Sequence, residues 1–116
     1  MDTPEFCNRT GISPQKLTVW IMNGVLSAEL VDKPHGGYRR ELTEAHVQRV
    51  RLAKALLGKR IPFSELSRRP ELFDAPYVVY DGREARPCKD AGQAIATIAK
   101  AKHRCAAVDL NAVRAK

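Results

Sequence analysis

The sequence predicts an α+β chain, with helices and a hairpin through residue 68 and a small ββαβ unit after it. Three observations predict this. Two helix starts, Asp2-Thr3-Pro4 and Ser13-Pro14, stand one short helix apart with Gly11 between them. A turn rich in Pro and Gly, 32–37, separates two extended segments. Tyr77-Val78-Val79-Tyr80 is β-prone and runs into Asp81-Gly82, a strong hairpin signal.

Each element follows from local chemistry. At the first helix, Asp2 or Thr3 accepts from the orphan amides, Pro4 suits the first turn, and Glu5 suits the positive end of the dipole. Gly11 stops it, and Ser13 caps a second helix over 14–23 that Gly24 closes. Leu17, Trp20 and Ile21 give that helix its inward face. Gln15, Lys16, Thr18, Val19 and Asn23 lie on the other side. Residues 25–31 and 38–42 flank the turn as a hairpin. Thr43 caps a long helix to Gly58, with His46, Val50, Ala53 and Leu57 as one stripe and Val47 and Leu56 beside it. Residues 61–66 add one or two helical turns.

Residues 69–76, with two prolines and mixed polarity, predict a linker. The strand 77–80 is expected to turn at Asp81-Gly82 and return over 83–87 as an edge strand ended by Pro87. Asp90 caps the next helix, with Gln93 in a capping-box position. Ala91, Ala94, Ile95, Ile98 and Ala99 form its apolar face. Residues 105–110 predict a last strand, and the basic final six residues fray or form a helical turn. A unit of this size buries little core alone, so a homodimer through 77–110 is the expected partnership.

Charge narrows the function. The 116 residues carry a net charge of +7, and 15–60 hold nine Lys/Arg against four Asp/Glu. That excess favours a polyanionic partner. A hydrophobic content of 44% permits a core. No apolar run approaches the ~20 residues of a membrane span. The first residues lack the pattern of a secretory signal, so the cytoplasm is the expected compartment. Cys7, Cys88 and Cys105 are far apart, form no CxxC pair and have no zinc-ligand spacing, which predicts free thiols packed as small hydrophobes. His35, His46 and His103 fall into no motif with a Cys, Ser or Asp, and there is no phosphate loop, dinucleotide glycine pattern or HExxH. The sequence therefore predicts no catalytic centre, no cofactor and no metal.

Helix, tight turn, helix, hairpin, helix is the order of a winged helix-turn-helix. Within it, TGISPQKLTVWIMNGVL and GGYRRELTEAHVQRVRLAKALLGKRIPFSEL resemble the DNA-binding domain of the MerR family of regulators. The shared features are the small-residue turn Thr10 to Ser13, Gly24-Val25-Leu26, the wing triplet Gly37-Tyr38-Arg39, Leu42-Thr43-Glu44, and Ile61 to Leu66. The resemblance covers residues 3–68. It implies a cytoplasmic bacterial or phage regulator binding double-stranded DNA. Gln15, Lys16 and Thr18 would face the major groove, and Tyr38, Arg39 and Arg40 would clamp backbone or minor groove. Lys33 and His35, in the wing turn, join the DNA-binding set. Trp20 stands where the family often has an aromatic and is expected in the core. Thr18 and Val19 depart from the usual Arg and Tyr. No long dimerising helix follows residue 68, and residues 77–116 take its place. An excisionase-like DNA-bending factor and an antitoxin-like or adaptor module working through 77–110 are the alternative roles.

Overall fold

The computed structural model describes residues 1–26, 30–32, 38–101 and 105–115, with the backbone alone for 30–32 and 38–40. The chain divides into two compact units, 1–50 and 51–116, and the division falls inside its longest helix.

In the first unit, α1 (Thr3–Thr10) starts where Asp2 accepts from the Glu5 amide at 2.9 Å. It ends at Gly11, whose φ of 76° is the left-handed cap that glycine adopts without strain. Three residues later α2 (Pro14–Met22) begins, with Ser13 Oγ accepting from the Lys16 amide at 3.1 Å. It closes in a Schellman motif: Gly24 N–H donates to Ile21 O, and Val25 N–H donates to Trp20 O. Trp20 and Val25, the apolar pair that accompanies such a cap, are both buried. Trp20 is thus a core residue, together with Phe6, Ile12, Leu17, Leu26, Leu42 and Val47.

Strands β1 (Leu30–Asp32) and β2 (Tyr38–Arg40) pair antiparallel in the register Leu30↔Arg40, Val31↔Arg39, Asp32↔Tyr38. Helix α3 (Glu44–Gly58) follows. At its start the Thr43 hydroxyl meets the His46 ring rather than a backbone amide, at 3.0 Å. His46 Nδ1 accepts the Thr43 N–H at 3.0 Å, which gives histidine the reciprocal role that Glu or Gln fills in a capping box. Arg9 and Glu44 form a bidentate ion pair between α1 and α3, one arm at 2.9 Å. Arg49 Nε donates to Val25 O at 3.0 Å and so ties the same helix to the end of the α2 cap.

The end of α3 differs from expectation. Gly58 is its last residue, but the left-handed position is Arg60, at φ 65°. Arg60 N–H donates to Leu57 O and Ile61 N–H to Leu56 O, a second Schellman motif with a non-glycine residue at its strained position.

In the second unit, α4 (Phe63–Arg68) is followed by a 3-10 helix (Pro70–Asp74) with Leu72 and Phe73 buried. The linker expected over 69–76 is therefore a packed element. Its prolines sit at the helix start and beyond its end, where they break nothing. β3 (Tyr77–Tyr80) is the centre of a three-stranded antiparallel sheet, between β4 (Ala85–Cys88) and β5 (Ala106–Asp109). In the β3–β4 turn, Asp81 Oδ1 accepts from the Arg83 and Glu84 amides at 2.8 and 2.9 Å. Those two N–H donors, with Arg86 nearby, hold the Asp81 carboxyl below the ordinary carboxylate range.

Helix α5 (Ala91–Lys100) is capped by Asp90, which accepts from the Gln93 amide at 2.7 Å, while Gln93 Oε1 reaches back to the Lys89 amide. It rests on Val79 and Cys88 through Ala94. The remainder of its expected apolar face is not covered: Ile95 is 67% exposed and Ile98 41%. β5 gives way to α6 (Leu110–Arg114), capped by Asp109. Arg114 donates to the Ala75 and Phe73 carbonyls and secures this last helix to the end of the 3-10 segment.

Candidate nucleic-acid interface

The helical period sorts α2 into two faces. Leu17 and Trp20 are buried at 1% and 3% exposure, and Ile21 is half-buried beside them. Gln15, Thr18, Val19 and Met22 share the opposite face, all exposed, with Lys16 and Asn23 on its flank. The Ser13 cap positions the first turn, so Gln15 and Lys16 project from the N-terminal end of the helix. Their side chains make no hydrogen bond or ion pair among the described residues. An amide and an ammonium there suit base edges and phosphates.

Thr18 differs from them. Its hydroxyl donates to Pro14 O at 3.1 Å, so its outward offer is a methyl group and a lone pair. The Asn23 side-chain amide is used in the same way, donating to Val19 O at 2.8 Å. The outward face is therefore polar at its first turn and largely apolar beyond it. The sequence placed Val19 on this face but gave no role to it or to Met22. The signal was their i, i+3 spacing opposite Leu17 and Trp20.

Tyr38, Arg39 and Arg40 lie on β2, the returning strand of the hairpin. Lys33 and His35 fall outside the described residues. Gln15, Lys16, Thr18 and the three β2 residues all belong to the 1–50 unit.

The remaining chemistry is sparse. Burial raises the pKa of the half-buried Cys7 thiol, which disfavours a reactive thiolate. Cys88 and Cys105 form no disulfide; Cys88 is buried in a cluster with Val79 and Ala94, and Cys105 packs against that cluster. Among the described residues no group of three His, Cys, Asp or Glu could hold a metal ion, and no helix is long and apolar enough to cross a membrane.

Two helices joined by a three-residue turn, then a paired hairpin and a long helix, define the first 58 residues. The sequence profile of the MerR HTH family regulatory protein matches residues 1–69. The chain belongs to the MerR helix-turn-helix family. No curated protein and no solved structure matches it. The MerR-type region spans both helices, the hairpin, α3 and α4, which makes α2 the second helix of the motif and β1–β2 its wing. Membership makes this a DNA-binding regulatory chain, and residues 70–116 lie beyond the matched region.

Proposed function

We propose that this MerR-type protein is a sequence-specific transcription regulator of double-stranded DNA, with α2 in the major groove and the β1–β2 wing against the adjoining backbone. The observation that carries the reading is the first turn of α2, where Gln15 and Lys16 are exposed, held by the Ser13 cap and engaged by nothing else described. Gln15, Lys16 and Thr18 meet the bases. Lys33, His35, Tyr38, Arg39 and Arg40 meet phosphates or the minor groove. Genome-wide DNA capture followed by footprinting tests this. Protection of a promoter operator supports a regulator. A strongly bent array at recombination sites supports an excisionase-like factor instead.

The two sets of contacts have different signatures. Arg39→Ala and Arg40→Ala are expected to weaken binding on every sequence and to flatten the salt dependence by about one unit each. Gln15→Ala is expected to relax preference at one base pair by about 1–3 kcal/mol. Wing variants that retain wild-type affinity and salt slope would remove the wing from the interface.

We also propose that residues 77–110 form a homodimer interface through α5. Support comes from Ile95 and Ile98, which are exposed on a ten-residue helix whose only charge is Lys100. On a chain of net charge +7, two such uncharged faces meet without bringing cations together. Ile95→Lys is expected to weaken self-association at least about tenfold in sedimentation equilibrium. An Ile95→Lys chain that dimerises as well as wild type would rule out α5 as the contact. Capture of a different protein through 77–110 would favour the adaptor role.

A further inference from the structure

The major-groove edge of a base pair carries donors, acceptors and one apolar feature, the C5-methyl of thymine. Beyond its first turn, the outward face of α2 matches the last of these. Val19 is 48% exposed and Met22 79%, although both belong to a short helix whose other large apolar residues are buried or half-buried. They follow Gln15 at i+4 and i+7, so all three lie in one line along the helix. Thr18 completes the patch with its methyl, because its hydroxyl proton is committed to Pro14 O. Apart from the Thr18 lone pair, such a surface offers nothing to phosphate and no strong hydrogen bond to a base edge. Left in water it stabilises nothing, and in a groove it finds an apolar partner only where thymine stands.

We propose that Val19 and Met22 are specificity-determining residues that pack against thymine 5-methyl groups, so that the recognised site requires T at the base pairs they reach. This rests on the reading that α2 enters the major groove. It assigns the two side chains a role that hydrogen-bond donors on the same helix cannot fill. Gln15 would fix one base by its amide, and Val19 and Met22 would fix neighbours by shape and apolar contact. A cytosine or guanine at those positions would present a polar group to the isopropyl or thioether and leave it unpaired.

The test uses a duplex selected by the wild-type protein from a random library. Each thymine is then replaced singly by deoxyuridine, which removes the methyl and nothing else. Wild type is expected to lose about fourfold in affinity at one or two positions, the value of one buried methyl group. Val19→Ala should bind the thymine duplex as weakly as wild type binds the uracil duplex, and should ignore the substitution at one of these positions. Met22→Ala should do the same at the other. Gln15→Ala should keep full sensitivity to the missing methyl. Thermal unfolding of Val19→Ala, at an exposed site, should match wild type and so keep folding out of the comparison. A wild-type protein that binds its duplex but tolerates uracil everywhere overturns the inference and leaves the DNA-binding reading intact. So does a Val19→Ala variant that still discriminates at every position where wild type does. Failure to select any duplex overturns both.

Discussion

Replacing Leu17 by alanine lowers the stability of the 1–50 unit by about 2–5 kcal/mol, while alanine at Val19, two residues on, changes it by no more than about 0.5 kcal/mol. The contrast follows from the two faces of α2. Leu17 is 1% exposed, so truncation removes its apolar transfer free energy and leaves a cavity. Val19, at 48% exposed, leaves none. Small domains are held by about 5–15 kcal/mol in total, so the Leu17 loss is a large fraction of the whole. Urea unfolding followed by the fluorescence of Trp20, the chain's sole tryptophan, measures it directly. DNA affinity separates the residues a second time. Leu17→Ala should lose binding only as far as it unfolds. Val19→Ala should lose it while fully folded. A Leu17→Ala midpoint close to wild type would mean that α2 is rotated from the orientation described, and the assignment of its outward face would fall with it.

The parts of the fold legible in the sequence were those set by residues within one turn of each other. Asp2, Gly11, Ser13-Pro14 and Gly24 determine the limits of α1 and α2 through caps that need no distant partner. Asp81-Gly82 and Asp90 do the same for the β3–β4 turn and α5. What stayed hidden depends on tertiary contact. Pro70 and Pro76 argued for a linker, yet Leu72 and Phe73, two large apolar residues in five, were the sign of a buried turn. Glu65 in a short helix looks like surface, and only the arginines three and four residues later hint at a paired, buried carboxylate. The apolar face of α5 was visible as a pattern, but amphipathicity marks a face without saying what covers it. In the candidate site, exposure of Gln15 and Lys16 followed from the helical period. The loss of the Thr18 hydroxyl to its own backbone did not, because Ser and Thr choose between backbone and solvent according to rotamer.

The buried carboxylate leads to the second large effect. Glu65, with a side chain 3% exposed, sits between Arg68 (2.9 Å) and Arg69 (3.0 Å). Arg69 also reaches Glu84 at 2.7 Å, and Glu84 in turn pairs with Arg86 at 2.6 Å, which links α4 to the β3–β4 hairpin. The two arginines are not equivalent. Arg68 is 65% exposed, so water replaces it readily, and Arg68→Ala should cost no more than about 1 kcal/mol. Arg69 is 32% exposed and faces the Glu65 Oε2 atom, which is buried and has no well-aligned hydrogen bond, so the charge of Arg69 is its main compensation. Arg69→Ala should therefore cost about 2–4 kcal/mol, chiefly as the penalty of a buried carboxylate left half-paired. Arg69→Lys should fall between the two, because an ammonium keeps the charge but cannot fork to two carboxylates. Adding Glu65→Leu to Arg69→Ala should recover much of the loss, since an apolar side chain in that position needs no partner. Chemical unfolding of the four variants, followed by far-UV circular dichroism, ranks them. Equal losses for Arg68→Ala and Arg69→Ala, or no recovery in the double variant, would mean that solvent rather than Arg69 satisfies Glu65 and that the hairpin is held to α4 by apolar packing alone.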